Sequence, residues 1–194
     1  MANTNAPFGL KAVDNLRQPG TVGRVRRYIV SSSNPLGIGD VVKSGGTADA
    51  VTGIATIDRA AAGDPIRGVV IGFDQVDGVS DANFNLIRTH CPASVGLFAM
   101  VCDDPDTIYE VQTDASLTFA VTMVGENADV ITAVDCNTVT GLSKTALSTT
   151  DHKTATAQLR ILEVPRLGID NEVGDYAIVR VLINEHELKS TTGL

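Results

Sequence analysis

The chain has no tryptophan, and aromatic residues of all kinds fill only 4% of its 194 positions. Its core must therefore be assembled from Val, Ile, Leu and Ala, within a hydrophobic content of 43%. Cysteine is scarce and unpatterned. Cys91, Cys102 and Cys136 form no Cys-x-x-Cys pair, and an odd count at irregular spacing does not describe a disulfide framework, so reduced, buried thiols are expected. Long apolar runs are missing as well. The longest, around residues 69–73 and 95–102, fall far below the ~20 residues of a membrane span, and residues 1–7 lack the charged-then-apolar order of a signal peptide. A soluble protein made in the cytoplasm, with no membrane partner, is expected. Basic charge is also sparse: 15 Lys and Arg against 23 Asp and Glu leave a formal net charge of -8. Duplex binding needs clustered cations to neutralise phosphates. The one cluster here is Arg24, Arg26 and Arg27, so nucleic acid is not an expected partner. An acidic surface suits a protein exposed to solvent at high local concentration.

The signatures of catalysis are missing too. There is no Gly-x-Ser-x-Gly elbow for acyl transfer, and no Gly-Lys-Ser/Thr follows Gly9, Gly20 or Gly23 to make a phosphate loop. His90 and Cys91 are adjacent, but neighbours on a strand point to opposite faces, which favours a structural role over a nucleophile–base pair. His152 lies in a polar stretch and is expected to be solvated, and His186, near the end of the last strand, is expected at a surface or subunit contact. Asp103, Asp104 and Asp106 form the densest carboxylate group. Calcium wants about six to eight oxygens, and the glycine and closing glutamate of a calcium loop are absent, so a solvated turn is favoured over a cation site. No catalytic residue, metal or cofactor is expected, and the chain is not expected to be an enzyme.

What the sequence does contain is a β signal. Val, Ile and Thr are abundant, and short apolar runs alternate with Gly, Asp, Asn and Pro. Strands are predicted over residues 22–30, 40–43, 51–57, 66–73, 93–101, 108–113, 159–164 and 176–188, with 120–124 and 130–134 as further candidates. Ser44-Gly45-Gly46 reads as a hairpin turn. Val69, Ile71 and Phe73 share one face by their spacing, as do Val95, Leu97, Ala99 and Val101. No helix-period segment and no internal repeat appears. The expected fold is all-β, a barrel or sandwich with a jelly roll among the candidates. Residues 1–20, with Pro7, Gly9, Pro19 and Gly20, read as an extended N-terminal arm; residues 21–194 read as a single β-rich domain with a polar loop around 138–156.

Three stretches resemble small structural proteins of tailed-bacteriophage heads. Ala2-Asn3-Thr4-Asn5-Ala6-Pro7-Phe8-Gly9-Leu10-Lys11-Ala12-Val13 is similar to an Asn-Ala-Pro-Phe-Gly-Leu-x-x-Val opening found in that group. Asp103-Asp104-Pro105-Asp106-Thr107-Ile108-Tyr109-Glu110-Val111-Gln112 resembles its Asp-Pro-x-x-x-Tyr/Phe-Glu-x-Gln segment. Asp170-Asn171-Glu172-Val173-Gly174-Asp175-Tyr176-Ala177 resembles its C-terminal Asp-Asn-x-x-Gly-x-Tyr-Ala stretch. The resemblance implies a decoration or cement protein on the outside of an HK97-type phage head. Its partners would be the phage major capsid protein and further copies of itself, a trimer in preference to a dimer. Its location would be the virion's capsid surface.

The expected contact residues are Asn5, Pro7, Phe8 and Leu10 of the arm, with Phe8 and Leu10 as anchors, and the basic residues Arg24, Arg26 and Arg27. The alternative for residues 1–13 is that they pack as a strand on their own domain. Alternatives for the function are a tail-tube or head–tail joining protein, a small hydrolase and a host-binding adhesin.

Overall fold

Runs of β-branched residues broken by Gly, Pro, Asp and Asn become fourteen strands among the described residues of the computed structural model, which are 3–74, 89–132, 135–166 and 170–189. In chain order the first half holds β1 (Lys11–Asn15), β2 (Val25–Val30), β3 (Leu36–Gly37), β4 (Val41–Ala48), β5 (Ala55–Arg59), β6 (Gly68–Asp74) and β7 (His90–Cys91). The second half holds β8 (Phe98–Cys102), β9 (Thr107–Gln112), β10 (Asn127–Ala128), β11 (Val130–Ile131), β12 (Ala146–Leu147), β13 (Leu159–Glu163) and β14 (Ile178–Ile183). The fold is all-β. Five strands close into a barrel in the order β2-β5-β4-β6-β8, and five more form a sheet in the order β1-β9-β14-β13-β10. The pairs β3–β7 and β11–β12 stand apart from both.

Side-chain alternation divides the apolar residues between two cores. Tyr28, Val30, Val42, Ile57, Val70 and Val101 belong to a cluster contributed mainly by one face of the barrel strands. Residues of the opposite parity, Val41, Val69 and Cys102, join Tyr109, Val111, Val179, Val181 and Ile161 of the sheet in the second cluster. The barrel wall thus serves both cores, which is how a chain almost without aromatics buries its β-branched residues on two faces. All three cysteines are free and buried, filling space as small apolar side chains.

Several expectations change at the level of elements. Ser44-Gly45-Gly46 is not a turn: β4 runs on through it to Ala48, with an irregularity in its pairing to β5. The chain reverses instead at residues 49–54, where Asp49 accepts hydrogen bonds from the Val51 and Thr52 amides. Ile71 does not share a buried face with Val69 and Phe73, because a register shift between Val70 and Gly72 turns it outward. Val95 precedes β8 and is also exposed. Residues 121–123 form a 3-10 turn rather than a strand.

The N-terminal segment is not a free arm. From Lys11 it pairs antiparallel with β9 as an edge strand, and Leu10 is only 2% exposed within the barrel–sheet core. Gly9 permits this docking: a Cβ there would lie 2.4 Å from the Gly39 carbonyl oxygen, and the backbone has φ +76°.

Candidate functional site: a groove beside a hydrogen-bonded joint

The N-terminal segment, β9 and the segment entering β14 lie far apart in sequence and meet at one joint. β1 pairs with β9, and β9 pairs with β14. Asn3 donates from Nδ2 to the carbonyls of Glu172 (2.7 Å) and Asp175 (3.1 Å) and accepts at Oδ1 from the Glu172 amide (3.0 Å). Gln112 accepts at Oε1 from the Ala6 amide (2.9 Å) and donates to the carbonyls of Thr4 (2.9 Å) and Tyr176 (3.1 Å). Asn171 accepts from the Ile178 amide (3.0 Å) and donates to the carbonyls of Pro165 (2.8 Å) and Ile178 (2.7 Å), closing the loop before β14. Gln112 and Asn171 are buried with their amides satisfied, as buried polar groups must be if they are not to destabilise the fold. These side chains splice the N-terminus to the sheet. The sequence motifs contained them, but spacing alone could not reveal that they bond to each other.

Beside the joint runs an apolar groove of about 550 Å³. Phe8 and Ala12 of the N-terminal segment, Val22 and Val25 ahead of and on β2, Ile71 of β6 and Leu142 contribute its apolar wall. Lys11, Glu110 and Arg166 supply the charged part. Large apolar side chains left in water here include Val22 (56% exposed), Leu142 (42%) and Ile71 (40%).

The expected contact residues divide among different tasks. Phe8 and Leu10 both line the groove, but Leu10 is only 2% exposed and packs in the chain's own core, so it offers a partner almost no surface. Asn5 and Pro7 line a separate recess against Gln112, Thr113 and Asp114. Arg24 and Arg26 reach the fully buried Asp103 at 3.4 and 3.5 Å, and Tyr28 donates to the same carboxylate at 2.6 Å. The chain of contacts continues from Tyr28 to Arg67 (3.2 Å), from Arg67 to Glu187 (3.4 Å), and from Glu187 to the Ser44 amide (2.7 Å). Arg27, on the other face of β2, lies 4.2 Å over the Phe98 ring. The basic cluster is therefore partly occupied within the chain, although Arg24 and Arg26 stay about half exposed.

The aspartates of residues 103–106 do not converge. Asp103 is held as above, Asp104 accepts from the Arg24 and Asp106 amides, and Asp106 pairs with Arg17 (2.5 Å) and Lys189 (3.5 Å). Among the described residues no three His, Cys, Asp or Glu side chains gather as metal ligands.

Two of the three histidines, His152 and His186, are placed differently from expectation. His90 sits on β7 against β3, and the Cys91 thiol beside it donates to the Val95 carbonyl at 3.1 Å. His152 is not simply solvated: its Nδ1 lies 2.5 Å from the Glu126 carboxylate. His186 is not at the surface. It is 3% exposed, its Nδ1 accepts from the Leu188 amide (3.1 Å), and its buried Nε2 has no partner. Burial, reinforced by the positive charge of Lys189, lowers its pKa to about 4.

Within the Ser- and Thr-rich stretch 138–156, Ser143, Thr145, Ser148 and Thr149 are buried, while Thr138, Thr140, Thr150, Thr154 and Thr156 stay exposed. Ser143 and Thr145 donate to the buried Asp40, whose other oxygen accepts from the Gly37 amide at 2.7 Å. Burial raises the pKa of Asp40 against these stabilising hydrogen bonds. No known family model and no curated protein matches this chain. No helix among the described residues is long and apolar enough to cross a membrane.

Proposed function

We propose that the chain is a structural, non-enzymatic protein of a tailed-phage virion that decorates the outside of the head. The observation that carries this reading is the joint. Three stretches spread over the chain, each resembling the same group of head proteins, become one hydrogen-bonded unit of β1, β9 and the segment entering β14. The reading rests on that resemblance, and the three stretches that carry it lie together in the folded chain. The groove beside it supplies a docking face, with Phe8, Val22, Val25, Ile71 and Leu142 as apolar contacts. Lys11 and Arg166 against the single Glu110 leave the groove lining one positive charge in excess on a chain of net charge -8. The partner that fits is an acidic and apolar patch on the major capsid protein, with copies of this chain grouped as trimers at three-fold positions.

The test is reconstitution. Head shells that lack the protein are incubated with the full chain and reconstructed by electron microscopy. The expected result is density on the outer surface with the groove turned toward the shell. Density confined to the head–tail joint or the tail, with bare shells, would move the protein to the joining or tail-tube class.

A further inference from the structure

The chain keeps nearly all its aromatic residues inside. Among the described residues only Phe8 and Tyr176 are aromatic side chains that are not buried, and Phe8 belongs to the apolar groove. Tyr176 is the residue that two recesses of about 370 Å³ each have in common. Its backbone is held at φ +59°, a left-handed conformation that costs a bulky residue but that glycine or asparagine adopts readily. Neighbouring bonds fix it there: the Tyr176 carbonyl accepts from Gln112 (3.1 Å), and the Asp175 carbonyl accepts from Asn3 (3.1 Å). The phenol hydroxyl makes no hydrogen bond among the described residues that would offset the cost. A bulky residue kept in such a conformation at the junction of two recesses points to a role outside the fold.

The linings narrow the ligand. One recess offers Asn5 and Ser116 beside Pro7 and Ala115, and the other offers Thr118 and Asp175 beside Val173. Neither holds Lys, Arg or His among the described residues, while Asp114, Glu172 and Asp175 make both acidic, which opposes phosphate, sulfate and carboxylate ligands. A wholly apolar ligand would cover these polar groups without bonding them. We propose that the two recesses and Tyr176 bind a neutral oligosaccharide, with one sugar unit on each side of the ring. A pyranose carries weakly positive C–H groups on its flat face, which suit the electron-rich face of a phenol ring. Its rim of hydroxyls both donates and accepts: the Asp175 carboxylate takes hydroxyl protons, and Asn5, Ser116 and Thr118 serve in either role. Each recess is at the small end of the roughly 300–1,000 Å³ of small-molecule sites, room for a sugar unit. Neither shares a residue with the apolar groove, so failure here leaves the docking face untouched.

The experiment is an NMR titration of the full chain with neutral trisaccharides of glucose, mannose, galactose and N-acetylglucosamine, and with the acidic sialyllactose. At least one neutral trisaccharide should shift the Ser116, Thr118 and Tyr176 amide signals saturably, with a dissociation constant on the order of 1 mM. Sialyllactose should bind about tenfold more weakly or not at all. Tyr176→Gly removes the ring and suits the backbone, so it should keep the melting temperature and lose about tenfold or more in affinity. Tyr176→Phe keeps the ring and should bind within a few-fold of the natural chain. Tyr176→Asn, also tolerated at positive φ, is the second ringless variant should the glycine variant fail to fold. No saturable shift with any neutral trisaccharide overturns the proposal, as do shifts confined to other parts of the chain. Equal binding of sialyllactose overturns it, and so does a folded ringless variant that binds as the natural chain does.

Discussion

Neutral His186 is built into the junction between the end of β14 and the barrel. Its flanking backbone holds the chain to Ile66, through Ile66 N to Glu185 O (2.8 Å) and Glu187 N to Ile66 O (3.0 Å). Burial and the facing cations Lys189 and Arg67 oppose a charge on the ring, while Asp103 and Asp104 favour one. Because the folded pKa, about 4, lies below the ordinary 6.5, the fold prefers the neutral ring. The corresponding stability is fully present above pH 6.5 and is lost as pH falls through 4. A shift of that size corresponds to about 3 kcal/mol. Urea unfolding between pH 7 and pH 4 should therefore show a steeper loss in the natural chain than in His186→Gln; parallel curves would remove His186 as the cause. Asp40 makes a second residue-scale case. Asp40→Asn gives up a buried charge, yet it turns an amide donor toward one of three donors that now face oxygens, and should cost about 1–3 kcal/mol in chemical denaturation. Neither role was legible from sequence. A histidine at a strand end and a run of serines and threonines look the same whether they meet water or a buried partner, and what decides is the contact across more than a hundred residues, such as Ser143 with Asp40.

At the scale of elements, periodicity served well where strands were central and regular. In β14, Val179, Val181 and Ile183 are buried and alternate with half-buried Ile178, Arg180 and Leu182, as period-two spacing requires. β9 and β13 were equally readable within a residue or two of their ends. The pattern failed where registers shift, as at Ile71, because a bulge leaves no mark in hydrophobicity. It failed also in the N-terminal segment, where Gly and Pro suggested an arm. There the glycine is what lets Leu10 enter the core beside Gly39. Leu10→Ala should accordingly destabilise the isolated chain by about 2–5 kcal/mol, a core-cavity effect. Deleting residues 1–13 should cost more, since it also removes most of the edge strand β1 and the donors and acceptors that satisfy Gln112. Thermal unfolding of both variants is the check. A deletion that left the melting temperature unchanged would restore the free-arm reading.

For the whole molecule, the closed barrel was the hardest feature to foresee, because its closure depends on β2 pairing parallel to β5 and antiparallel to β8, contacts that no local signal announces. That closure leaves one barrel face for the second core and aims the remaining surface, with Val25, Ile71 and the nearby Leu142, into the groove. If the groove docks on a shell, folding and docking should be separable by mutation. Ile71 and Leu142 are already 40% and 42% exposed, so Ile71→Asp with Leu142→Asp should change unfolding little, surface substitutions usually falling within about 0.5 kcal/mol each. Docking is different. Covering the rest of a large apolar side chain is worth up to about 1.5–3 kcal/mol, and an introduced carboxylate adds a desolvation cost, so the pair should weaken attachment by well over tenfold, about 1.4 kcal/mol being one such factor. Several copies held together on one particle would steepen the loss further. Val51→Asp is the control, since Val51 is 93% exposed and lies outside the groove lining. Shells incubated with each variant and separated by sedimentation should retain the natural chain and Val51→Asp and lose the double variant. Equal retention of all three would show that the groove is not the docking face.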